Sequence, residues 1–132
     1  MFSRKKQPPL KSLIAQGTRI EGQVYFSEGL RIDGEVLGDV RASDEGASLL
    51  VISESARVEG AVQAEHVIVN GSVLGPVHAL ELLELQPKAR IVGDVSYKAL
   101  EMHQGAIISG KMQPFAELLE EKPPLKLASN NA

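Results

Sequence analysis

The stretch Arg31-Ile32-Asp33-Gly34-Glu35-Val36-Leu37-Gly38-Asp39-Val40 decides the fold. It returns as Ile68-Val69-Asn70-Gly71-Ser72-Val73-Leu74-Gly75-Pro76-Val77. Shorter echoes are Arg19-Ile20-Glu21-Gly22-Gln23-Val24, Arg57-Val58-Glu59-Gly60-Ala61-Val62 and Arg90-Ile91-Val92-Gly93-Asp94-Val95, with a looser copy at Ile107-Ile108-Ser109-Gly110-Lys111-Met112. Each copy sets a β-branched residue two places before a glycine and an apolar residue two places after it. Alternation with a turn residue at its centre is a strand-and-corner signal, and a phrase repeated this often is a building unit.

Working outward, Gly22, Gly38, Gly60, Gly75, Gly93 and Gly110 are taken as equivalent, at intervals of 16, 22, 15, 18 and 17 residues. The long interval holds the polar run Ser43-Asp44-Glu45-Gly46-Ala47-Ser48, which accounts for its excess. A unit of this length is too short for a helix pair (about 33–47 residues) or a propeller blade (about 40–50 residues). It suits one coil of a three-sided parallel β-helix, and six glycines predict about six coils, a body about 25–30 Å tall. Ile20, Val24, Ile32, Val36, Val40, Val58, Val62, Val69, Val73, Val77, Ile91 and Val95 are expected to point inward and stack on their equivalents. The density of Gly and β-branched residues disfavours helix throughout. Leu80-Glu81-Leu82-Leu83-Glu84-Leu85 contains good helix formers, but its place within the array makes it a strand with a corner.

Composition narrows the function. The chain has 132 residues, enough for one domain with tails, and its aromatic share of 4% without Trp requires a core of Val, Ile and Leu. A net charge of -3 argues against a nucleic-acid partner. With no Cys there are no disulfides, thiolate metal sites or Cys nucleophiles. No run approaches the roughly 20 apolar residues of a membrane span, and the basic start lacks an apolar h-region, so a cytoplasmic location is expected. Three segments follow: a flexible basic arm over 1–15, a β-helix over 16–112, and a flexible C-terminal tail over 113–132.

Candidate chemistry is sparse. Gly105 to Lys111 matches the opening of a P-loop, but Met112 stands where a hydroxyl belongs and Pro114 follows, so no nucleotide site is assigned. His66, His78 and His103 lack helical or strand spacing for a shared metal and are expected to face solvent. The serines have no nucleophile-elbow context. No catalytic residue, metal site or cofactor is expected, and the chain is read as not an enzyme.

Two features point to assembly instead. In the arm, Arg4, Lys5 and Lys6 each gain roughly 1 kcal/mol near an anionic leaflet, and Met1 and Phe2 can enter the interface. The sum corresponds to a Kd of about 0.1 mM for one arm, which becomes useful only when many arms are displayed together. A basic tail that only keeps the chain soluble is the plainer reading of the same residues. The second feature is the ends: a β-helix without caps exposes strand edges and an apolar cross-section, which predicts end-to-end association. The first coil offers Ile20, Val24, Tyr25 and Phe26. The last offers Leu100, Met102, Ile107, Ile108, Met112 and Phe115. The alternative is that these are ordinary terminal core residues shielded by the tails.

The series Gly-Thr-Arg-Ile-Glu-Gly (17–22), Leu-Arg-Ile-Asp-Gly-Glu-Val-Leu-Gly-Asp-Val (30–40), Ala-Arg-Val-Glu-Gly (56–60), Val-Ile-Val-Asn-Gly-Ser-Val-Leu-Gly (67–75) and Tyr-Lys-Ala-Leu-Glu-Met (97–102) resembles the bactofilins. The resemblance implies an all-β, right-handed parallel β-helix that forms bacterial cytoskeletal filaments without nucleotide and without polarity. It also implies a scaffold for cell-shape or cell-wall-modifying proteins at the inner face of the cytoplasmic membrane. In that family a Met-Phe start with nearby basic residues can attach to the inner membrane, which matches Met1, Phe2, Arg4, Lys5 and Lys6. The expected partners are therefore copies of the chain itself, membrane lipid and cell-wall-modifying enzymes. Competing readings are a hexapeptide-repeat acyltransferase on a left-handed β-helix, whose register Asn70 and Pro76 break, and a soluble adaptor that does not polymerise.

Overall fold

The computed structural model describes residues 6–115. Its strands are β1 (Leu10–Ile14), β2 (Arg19–Glu21), β3 (Val24–Phe26), β4 (Glu28–Ile32), β5 (Glu35–Leu37), β6 (Val40–Ala42), β7 (Ser48–Ile52) and β8 (Arg57–Glu59). They continue as β9 (Val62–Val69), β10 (Ser72–Leu74), β11 (Val77–Leu85), β12 (Arg90–Val92), β13 (Val95–Met102), β14 (Ile107–Ser109) and β15 (Met112–Pro114). All pairings are parallel and join each strand to its equivalent one coil away, so the described residues form an all-β solenoid of six coils.

The three faces follow from the pairings. One runs β1–β4–β7 and continues through the second halves of β9, β11 and β13. The second runs β2–β5–β8–β10–β12–β14. The third takes β3, β6, the first halves of β9, β11 and β13, and β15. In β11 the corner between faces falls at Leu80 and Glu81, where the pairing register shifts, so 80–85 is a strand with a corner. The corner after β6 uses Ser43–Ala47, the polar run that lengthens the 22-residue interval.

Alternation along each strand makes columns of inward side chains. On the second face Ile20, Val36, Val58, Val73, Ile91 and Ile108 are in register from end to end. Ile14, Ile32, Ile52, Val69, Leu85 and Met102 form a column on the first face, and Val24, Val40, Val62, Val77, Val95 and Met112 on the third. The middle members are completely buried, and each contributes roughly 1.5–3 kcal/mol over an exposed side chain.

One corner is set by the six repeating glycines, which form a physical column. A Cβ on Gly60, where φ is +156°, would strike the carbonyl of Gly38, and each later glycine of the series lies against the carbonyl of the one before it. The coils approach too closely here for any side chain, which is why the glycine is the fixed point of the repeat. The aspartates that follow two of these glycines close the same corner. Oδ1 of Asp39 accepts the Ala61 amide at 2.8 Å, and Oδ1 of Asp94 accepts the Lys111 amide at 2.9 Å.

Two expectations are corrected at the N-terminal side. The arm expected over 1–15 gives way to strand at residues 10–14, so the solenoid starts before residue 16. The signal was short because the rung's inward positions are Ser12 and Ile14, only one of them apolar. The preceding residues lie along the outside of the first face: Gln7 Nε2 sits 3.4 Å from His66 Nδ1 on the fourth coil, and the Pro9 carbonyl packs on Gly29 of the second. Leu49, His66 and Leu82, in register on this outer surface, are all buried, yet the two leucines stand outside the inner core. His66 therefore does not face solvent as expected. It lies at the Gln7 end of this segment.

Candidate assembly interfaces

The columns end differently from how they run. Strands β1, β2 and β3 form the terminal rung at one end, and β14, β15 and the second half of β13 at the other. Among the described residues, no strand pairs with the outer edges of β2 and β14, so a row of ladder donors and acceptors is presented at each end. The inward side chains of these rungs lose cover on the same side. Met102 is 45% exposed although its column partner Leu85 is fully buried, and Met112 is 39% exposed above a fully buried Val95. Ile20, Val24, Leu100 and Ile108 are half-buried against the core.

The structure sorts the residues expected at the ends. Ile20 and Val24 on the first rung, and Leu100, Met102, Ile108 and Met112 on the last, are inward-column members reaching an end surface. Phe26 lies within the core, in register with Ala42, so its ring is covered. Tyr25 and Ile107 are exposed at positions that alternate with inward residues and therefore project from the flank. Phe115 follows β15 and is half-buried. Sequence reasoning missed Leu10 and Leu13, exposed on the strand that completes the first rung. Of the membrane residues, Lys6 is exposed, and Met1, Phe2, Arg4 and Lys5 lie outside the described residues, as does the expected tail from 116 onward.

Candidate chemistry elsewhere resolves into structure. The Gly105–Lys111 segment is a turn, then β14, then the last column glycine, so a strand occupies the place a P-loop needs for its phosphate cradle. The corner between the first two faces carries a groove lined by Asp33, Ser53, Asn70 and Gln86, and all four of these groups bond to the solenoid itself, Gln86 through its side-chain amide to Glu84. Arg31 Nε donates to Asp33 Oδ1 at 2.8 Å and Ser53 Oγ donates to the same oxygen at 2.5 Å, and both hold the Asp33 carboxyl below the usual aspartate range. Asn70 Oδ1 accepts the Lys88 amide at 2.9 Å. Ser55 Oγ donates to the Asp33 carbonyl at 2.8 Å. Arg31–Asp33 and Arg57–Glu59 are exposed pairs two residues apart on a strand, worth at most about 1 kcal/mol each.

A model of the bactofilins, described as polymer-forming cytoskeletal proteins, matches residues 12–113. The chain belongs to the bactofilin family. Among its relatives, Bactofilin BacO of Myxococcus xanthus (strain DK1622) is 26% identical over 111 residues, covering 84% of this chain and 85% of that protein. Bactofilin BacP of the same strain is 28% identical over 101 residues, covering 76% of this chain but 40% of its own length. No solved structure matches. This bactofilin is thus a polymer-forming cytoskeletal protein. Among the described residues, no helix is long and apolar enough to cross a membrane.

Proposed function

We propose that the chain polymerises end to end, terminal rung on terminal rung, into a nucleotide-independent filament without polarity. Residues 1–6 tether this filament to the inner face of the cytoplasmic membrane, and it serves as a non-enzymatic scaffold positioning cell-shape or cell-wall proteins. The observation that carries the reading is the interrupted column: apolar side chains buried in every middle rung emerge half-exposed at both ends, beside strand edges ready to accept another strand. A second solenoid stacked there continues both the ladder and the core. Contacts of first rung with first rung and last rung with last rung give a filament of no polarity.

The arm fits this arrangement because its described residues lie on the flank. Gln7 rests beside the fourth coil, so the described start of the arm lies on the side of the body and not at its ends. Stacking the ends leaves such arms free along the filament, where many weak membrane contacts add.

Negative-stain electron microscopy of the purified chain without nucleotide tests the polymer, with long filaments expected. Flotation with anionic vesicles on a density gradient tests the tether: removal of residues 1–6 should abolish flotation and leave the filaments intact. Discrete trimers that bind an acyl thioester would instead support the acyltransferase. A monomer at every concentration would support the adaptor.

A further inference from the structure

Glu84 on β11 and Glu101 on β13 occupy the same outward position on neighbouring rungs and are partners in register. His103 stands at the corner just beyond, its Nε2 3.3 Å from Glu84 Oε2. One ligand atom from each of the three lies within 4.8 Å of the others. The Gln86 side-chain amide is 3.3 Å from the same Glu84 oxygen, and turning it over would present its carbonyl oxygen instead. Earlier rungs of this outward column carry Leu13, Arg31, Val51 and Ile68. Only at Glu84 and Glu101 does the column set two carboxylates one above the other, where like charges in register repel. Both come from paired strands, so their backbone positions are fixed relative to each other before any ligand arrives.

We infer that Glu84, Glu101 and His103 bind a divalent transition-metal ion of the Zn²⁺ class. Two carboxylate oxygens and one imidazole nitrogen suit such an ion, with water or the Gln86 carbonyl in the fourth position. An ion that requires six or more oxygens, Mg²⁺ or Ca²⁺, is poorly served by this set. The ion would remove the repulsion between the two glutamates and fasten the last rung to the one beneath it. The competing occupant is a proton: a charged His103 would also lie well between the carboxylates.

The full chain, stripped of metal by a chelator, would be titrated with Zn²⁺ in competition with a fluorescent chelator. One ion per chain is expected, with Mg²⁺ unable to compete. Glu84→Gln, Glu101→Gln and His103→Gln should each weaken binding at least about tenfold. Zn²⁺ should raise the melting temperature of the wild type but not of these variants. Glu81→Gln and His78→Gln, which alter the same residue types elsewhere, should bind like the wild type. Circular dichroism checks that each variant folds, and His103→Gln, at an exposed corner, decides the matter if a glutamate variant does not. Unchanged uptake in His103→Gln, or no uptake by the wild type, would overturn the site and leave a proton-bridged ion pair.

Discussion

Val95 and Met112 hold the same inward place on adjacent rungs, as do Leu85 and Met102. The first of each pair is fully buried and the second is substantially exposed. Residue type does not explain the contrast, because all four are apolar. The difference is the rung above, which Val95 and Leu85 have and which, among the described residues, Met112 and Met102 do not. A middle rung is a finished piece of protein interior, with both ladder edges paired and its core covered on two sides. A terminal rung is half of such a piece, and the half it lacks has the shape of another rung.

The contrast is tested most severely at the glycine column. Gly60→Ala puts a methyl group into the Gly38 carbonyl in mid-solenoid, with no flexible side chain able to yield. It should cost on the order of 3 kcal/mol or more, read as a large fall in melting temperature or loss of soluble protein. Gly22→Ala meets nothing within 4 Å because, among the described residues, no rung lies beyond it. Only the positive φ is penalised there, so the expected loss is about 1–2 kcal/mol. Equal losses at the two sites would mean that the corner is strained by conformation alone and not by the approach of neighbouring coils.

The next effect separates rungs within one column. Leu85→Ala empties a fully buried position and should cost about 2–5 kcal/mol by denaturant unfolding. Met102→Ala, one rung later, removes a side chain already open to water and should cost no more than about 1 kcal/mol in protein kept unpolymerised. The smallest effect concerns pH. Arg31 and Ser53 lower the Asp33 pKa in the folded state, so this carboxylate adds stability above the ordinary aspartate value of about 3.9, and the gain fades as pH falls through the lower folded value. Asp33→Asn should therefore lower the melting temperature by a constant amount above about pH 4 and flatten the fall below it, so that variant and wild type converge in acid. Because the pair is partly solvent-exposed, the change should be slight.

The middle rungs were the part of the fold legible in the sequence. The spacing of Gly22, Gly38, Gly60, Gly75, Gly93 and Gly110 gave the coil length, and the β-branched residues beside them gave the inward columns. Leu50, Val67 and Leu83, a second inward column on the first face, escaped notice because no glycine marks their position. The first rung was hidden because Ser12 breaks the alternation of β1. Burial of His66 was hidden because its neighbour Gln7 lies 59 residues away in sequence. The grouping of Glu84, Glu101 and His103 was missed for a related reason: Glu84 and Glu101 are one coil apart, a separation that local periodicity does not register. At the ends, the right residues could be collected by position, but not sorted. Whether Tyr25 or Phe26 faces out depends on strand phase within a three-residue segment.

The central claim, that the exposed ends of the columns join one solenoid to the next, is tested most directly by comparing two arginine substitutions under the electron microscope. Met112→Arg places a charge on the end surface, whereas Val92→Arg places one on the flank of the second face, at a side chain that is 57% exposed. Both positions are open enough for the chain to fold. Filaments lost in Met112→Arg and retained in Val92→Arg are the predicted result. Filaments that survive Met112→Arg and vanish in Val92→Arg would contradict it, because the molecules would then be joining through their sides.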